Sequence, residues 1–90
     1  MNVWEIATLR SVNARGGRAT NQEIYSELES GKFITLTERD LRKSVHGDYL
    51  AYQDQVRSHL SNLTQAGDVQ RVTRGNYVLT KRGRRRIERK

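Results

Sequence analysis

Residues 52–83 read YQDQVRSHLSNLTQAGDVQRVTRGNYVLTKRG, and this stretch decides the fold. Val56, Leu60 and Leu63 are spaced by four and three residues, which puts them on one stripe of an α-helix running from Tyr52, with a start near Leu50, to Ala66. Asp54, Ser58, Ser61, Asn62 and Gln65 then face away from that stripe. Gly67 stands where a left-handed residue ends a helix, a conformation glycine adopts without steric cost. Val69 and Val72, then Tyr77, Val78 and Leu79, read as two short strands, and Thr73 to Asn76 between them carries the Gly-Asn chemistry of a tight hairpin.

The N-terminal half supplies the rest of a small helical domain. Val3, Trp4, Ile6, Ala7, Leu9 and Val12 predict a first helix over about Asn2 to Ala14, closed by Gly16-Gly17, with Trp4 in the core. Thr20-Asn21-Gln22-Glu23 has the spacing of a capping box, so a second helix follows, burying Ile24 and Leu28 and ending near Ser30-Gly31. Phe33-Ile34-Thr35-Leu36 reads as a short β-like stretch. Thr37 with Asp40 is a weaker start signal for a minor helix carrying Leu41 and Val45, and His46-Gly47-Asp48 breaks the chain before the long helix. The fold class expected is α+β, mainly α: a winged helix-turn-helix over residues 1–80 with a C-terminal β-hairpin wing, followed by a basic turn or helix over 81–90.

Ninety residues allow one small domain with a modest core. The absence of cysteine leaves no disulfide framework or thiolate metal site, and no apolar run approaches the roughly 20 residues that span a bilayer. A soluble, cytoplasmic protein is the expectation. Placement of charge says more than its total of +7. Residues 71–90 hold nine Lys or Arg against the single acid Glu88, whereas residues 1–70 hold eight basic and nine acidic residues. A segregated positive end of this kind fits a polyphosphate partner.

The motifs for other chemistries fail. His46 and His59 have no partner at metal-ligand spacing, so His59 is expected beside the core or exposed. The carboxylates form no evident metal-binding set, with Asp48 and Asp54 read as helix-start partners. Ser58 and Ser61 lack an activating base. Gly16-Gly17-Arg18 reads as a plain interhelical turn, because no strand leads into it and no Lys-Ser/Thr follows. No enzyme active site, metal or cofactor is inferred.

Tyr52-Gln53-Asp54-Gln55-Val56-Arg57, Leu60 to Leu63, Ala66-Gly67, Arg74-Gly75-Asn76-Tyr77-Val78-Leu79-Thr80 and Gly83, with Leu36-Thr37-Glu38-Arg39-Asp40-Leu41 upstream, resemble the N-terminal winged-helix domain of Mrr-type restriction endonucleases. The shared pattern is a helix ending in Ala-Gly, an Arg-Gly hairpin tip and a Leu-Thr-x-x-Gly finish. The resemblance implies a DNA-targeting module of a restriction system, normally joined to a nuclease domain that cuts foreign or modified DNA. These 90 residues hold no counterpart of that nuclease, so the chain reads as an isolated domain or a stand-alone relative.

Double-stranded DNA is therefore the expected partner. Ser58, Ser61, Asn62 and Gln65, with Arg57 on their flank, present the amides, hydroxyls and guanidinium that read base edges in a major groove. Arg74 at the hairpin tip suits a minor groove, Arg71 and Asn76 belong to the same wing, and Lys81, Arg82 and Arg84 are expected to bind phosphates and set the register. Tyr49 and Tyr52 are candidates for contact with a modified or extruded base, against the simpler reading that Tyr52 extends the core stripe. Two alternatives stay open: a protein-interaction or dimerisation winged helix, including a homodimer, and a stand-alone transcriptional regulator.

Overall fold

The computed structural model describes residues 3–44 and 49–88. Helix α1 spans Val3–Ala14, strand β1 Arg18–Thr20, α2 Asn21–Glu29, α3 Ala51–Ala66, β2 Val69–Thr73, β3 Asn76–Leu79 and α4 Lys81–Glu88. The strands form one antiparallel sheet in the order β1-β3-β2. This is the expected mainly helical winged-helix architecture, with β2 and β3 as the wing.

The strongest local signals hold. Thr20 accepts from the Glu23 N–H at 3.2 Å while its own N–H donates to Glu23 Oε1 at 2.9 Å, so the capping box opens α2. Gly67 ends α3 at φ 86°, and its N–H bonds back to the helix. Along α3 the stripe Tyr52, Val56, Leu60 and Leu63 is fully buried against Ala7, Leu9 and Val12 of α1 and Ile24 and Leu28 of α2. At about 1.5 to 3 kcal/mol for each large apolar side chain removed from water, this stripe is what docks α3. Trp4, expected in the core, is partly buried at its edge.

Three expectations are corrected. The turn read at Gly16-Gly17-Arg18 runs directly into a strand: Arg18, Ala19 and Thr20 pair with Val78, Tyr77 and Asn76. Its three residues carry no alternation of their own, and the ladder comes from β3. Phe33-Ile34-Thr35-Leu36 forms no strand: the consecutive Phe33 and Ile34 both turn to the core, which the alternation of a strand does not allow. Phe33, Ile34 and Leu36 instead pack irregularly against the core.

The minor helix after Thr37 is a single turn. The reciprocal bonds are made, Thr37 N–H to Asp40 Oδ2 at 2.8 Å and Asp40 N–H to Thr37 Oγ1 at 3.2 Å. The next carbonyls are then taken by the start of α3: Asp40 accepts from the Tyr52 N–H at 2.9 Å and Arg42 from the Ala51 N–H at 2.8 Å. A continuing helix would need those carbonyls for itself, so it stops, and Leu41 is left 49% exposed. Val45 and His46-Gly47-Asp48 lie outside the described residues.

Helix α4 is fastened at its first turn. Thr80 Oγ1 accepts from the Gly83 N–H at 3.1 Å and lies 2.6 and 2.9 Å from the Gly67 and Asp68 carbonyls, to which it donates. Asp68, fully buried, is paired by Arg86 and by Arg82 at 3.4 Å. Gly83 is wedged there as well, because a Cβ at that position would sit 2.1 Å from the Asp68 carbonyl oxygen. The Leu-Thr-x-x-Gly finish thus has a packing reason.

Candidate nucleic-acid interface

The exposed side of α3 forms the floor of an open groove of about 1250 Å³. One wall is the wing, contributing Arg71, Arg74, Gly75 and Tyr77; the other is the segment before α3, contributing Arg39, Arg42, Lys43, Ser44 and Tyr49. Each wall is held by specific bonds. Gly75 takes φ 78° at the hairpin tip, Asn76 Nδ2 donates to Thr73 Oγ1 at 2.8 Å across the turn, and the Asn21 N–H donates to the Gly75 carbonyl at 3.1 Å, tying the wing to the start of α2. The opposite wall is stitched to α3 by the Asp40 and Arg42 carbonyl bonds and closed on itself by Ser44 N–H to the Tyr49 carbonyl at 2.8 Å.

Of the residues expected at the interface, Arg57, Ser58, Ser61, Gln65, Arg71, Arg74 and Tyr49 line this groove. Asp54, Ser58, Ser61 and Gln65 follow one another at steps of four, three and four, so they point one way, with Arg57 beside them. Asn62 is exposed but one residue further round, about 100° off that line, and does not line the groove. Asn76 has its amide engaged in the hairpin turn. Tyr52 is fully buried, its hydroxyl bonded to Glu29, and so continues the core stripe. Lys81, Arg82 and Arg84 lie on α4 outside the groove, Arg82 paired with Asp68.

Sequence reasoning missed Arg39, Arg42 and Lys43. Together with Arg57, Arg71 and Arg74 they make six cations along the groove against one carboxylate, Asp54, among the described residues. Net charge over residues 1–70 concealed them because acids cancel them in the count; Glu38 does so directly at Arg42, 4.0 Å away in an exposed pair, while others are engaged elsewhere. Glu23 and Glu27 pair with Arg15 at 3.5 and 2.8 Å, Glu29 accepts from Tyr52, and Glu5 lies 3.4 Å from the half-buried His59 across the α1–α3 contact. Within the groove the Arg57 guanidinium carbon sits 4.2 Å from the centroid of the Tyr49 ring, a cation–π contact.

What this arrangement offers chemically is a concave, cationic surface with hydroxyl and amide groups on a helix at its centre and aromatic rings on both sides. Among the described residues, no three His, Cys, Asp or Glu side chains converge as a metal site, and no helix is long and apolar enough to cross a membrane. No curated protein and no solved structure matches the chain. The Mrr N-terminal domain family matches residues 4–89, nearly the whole length, and so takes in α1 through α4 together with the groove between them. By that match the chain belongs to the Mrr N-terminal domain family.

Proposed function

We propose that this chain binds duplex DNA through the α3–wing groove and acts as the DNA-targeting module of a restriction system, one that responds to base modification. The observation that carries the reading is the groove itself, where six cations surround the Ser58, Ser61 and Gln65 stripe of α3. A duplex laid against α3 brings phosphates to both walls. Arg39, Arg42 and Lys43 hold one strand and Arg71 and Arg74 the other, positioning the duplex without reading it. Gln65, the two serines and Arg57 meet base edges in the major groove. Lys81, Arg82 and Arg84 stand off this path and are not assigned phosphate contacts. The family membership supports the restriction context.

Cleavage is not assigned to these residues, since phosphodiester hydrolysis needs a positioned metal or an activated nucleophile. The test is binding of a matched pair of duplexes, unmodified and methylated, across a range of salt concentrations. With four to five phosphates neutralised, log affinity falls against log salt with a slope of about −4. A slope near zero removes the electrostatic reading and favours a protein-interaction role. Equal affinity for the two duplexes removes the modification dependence while leaving DNA binding intact.

A further inference from the structure

We propose that Tyr25 and Asn21, both on α2, form a second reading position beneath the groove, which takes the hydrogen-bonding edge of a nucleobase drawn out of a DNA duplex. The inference rests on the DNA-binding reading above and adds a position on α2 to that groove. Tyr25 is 3% exposed, and its hydroxyl is buried with no hydrogen-bond partner; the side-chain oxygen of Asn21 is in the same state. Buried polar atoms in folded proteins are nearly always paired. Here two unpaired ones stand four residues apart on one helix, and so on one face of it.

Asn21 lines the groove directly. Tyr25 stands one turn from Asn21 on the same face of α2, and the groove cation Arg57 opposes the upward push that burial gives its phenol. The Tyr25 and Tyr52 rings meet edge to face, 5.9 Å between centroids at 85°, yet the Tyr52 hydroxyl is bonded to Glu29 and approached by Gln53 Nε2 at 3.4 Å, while its neighbour's is bare. Of the four tyrosines, Tyr49 and Tyr77 line the groove, and Tyr25 and Tyr52 meet in the core.

The chemistry selects the occupant. A phenol donates or accepts and an amide oxygen accepts, so together they complement an edge with a donor beside an acceptor, as the pairing edge of a nucleobase has. Tyr49 and Tyr77 offer aromatic faces at the same place, which suits a base leaving its stack. A base that remains stacked meets the outward side chains of α3 instead, because the two oxygens on α2 are closed to water in the unbound chain. Arg57 is exposed, long, and held against Tyr49 by a cation–π contact that a phosphate can replace, which frees the Tyr49 face.

The experiment compares three duplexes of one sequence: fully paired, with a single bulged adenine, and with a bulged abasic residue at the same place. The extrusion cost is already met in the bulge, so the adenine-bulged duplex binds about tenfold more tightly than either of the others. Tyr25→Phe and Asn21→Ala abolish that preference, and Tyr25→Phe, which removes only an unpaired buried hydroxyl, keeps the paired-duplex affinity and melts no lower than the parent. Equal binding of the adenine and abasic bulges, or a preference that survives Tyr25→Phe, overturns the proposal and leaves groove binding standing. Failure to bind any of the three overturns both.

Discussion

At the residue scale, burial divides four chemically identical side chains into different roles. Tyr52 and Tyr25 are buried, and each phenol is pushed above its ordinary value of 10: Tyr52 by burial and then by its hydrogen bond to Glu29, Tyr25 by burial, with Arg57 opposing. In both cases the fold favours the neutral phenol. Stability from these groups is therefore constant below pH 10 and is lost as pH rises beyond it toward the raised folded values. Urea midpoints taken at about pH 8 and about pH 11 are expected to fall at the higher value, and to fall less in Tyr52→Phe, which removes the larger shift. A midpoint equally pH-dependent in that variant would place the titrating group elsewhere. Near neutrality the same substitution is expected to cost about 1 kcal/mol, the net contribution of one buried hydrogen bond.

At the scale of the element, α4 is secured by the short Thr80–Gly83 turn and by Asp68. Glycine inside a helix is ordinarily a weakness, and replacing it with alanine usually stabilises by about 0.8 to 1 kcal/mol. At Gly83 the sign reverses. A Cβ there meets the Asp68 carbonyl oxygen at 2.1 Å and Leu79 Cδ1 at 2.8 Å, so the methyl drives α4 away from the α3–β2 turn. Gly83→Ala is expected to destabilise by about 2 to 3 kcal/mol in thermal or urea unfolding. A stabilised variant would show that α4 does not pack against Asp68. The wing is the other exposed element. Gly75 has open space around it but takes φ 78°, so Gly75→Val strains the hairpin through its backbone alone and is expected to weaken DNA binding while the core still folds. Unchanged affinity in a folded Gly75→Val protein would detach the wing from the interface.

At the scale of the whole molecule, two groups of cations have different duties. One set lines the groove: Arg39, Arg42, Lys43, Arg57, Arg71 and Arg74. A second group lies along α4, where Arg82 and Arg86 neutralise the buried Asp68 and hold the helix down. Arg42→Ala and Arg74→Ala are each expected to flatten the salt dependence of DNA affinity by about one, the signature of one lost phosphate contact, whereas Arg84→Ala leaves it unchanged. The reverse result would move the DNA path onto α4. Filter binding or fluorescence anisotropy at several salt concentrations reads the difference directly.

The sequence by itself determined α1, α2, α3 and the hairpin, because each is written in local chemistry. The three-and-four spacing of Val56, Leu60 and Leu63, the Thr20–Glu23 box, the left-handed Gly67 and the Arg74-Gly75 turn act within a few residues of one another. It also determined the outward stripe of Ser58, Ser61 and Gln65, since helical geometry fixes which side chains share a face. Tertiary structure alone decided the rest. Strand β1 exists because β3 had an edge to pair, and residues 37–44 leave their helical turn because α3 claims their carbonyls. The Arg39, Arg42 and Lys43 wall follows from that rerouting and is absent from any count of charge along the chain. Pairing separates the two buried phenols: the Tyr52 hydroxyl found Glu29, whereas the Tyr25 hydroxyl is enclosed without a partner. Caps, turns and amphipathic faces depend on neighbours in sequence, whereas pairing, enclosure and the meeting of distant cations depend on neighbours in space.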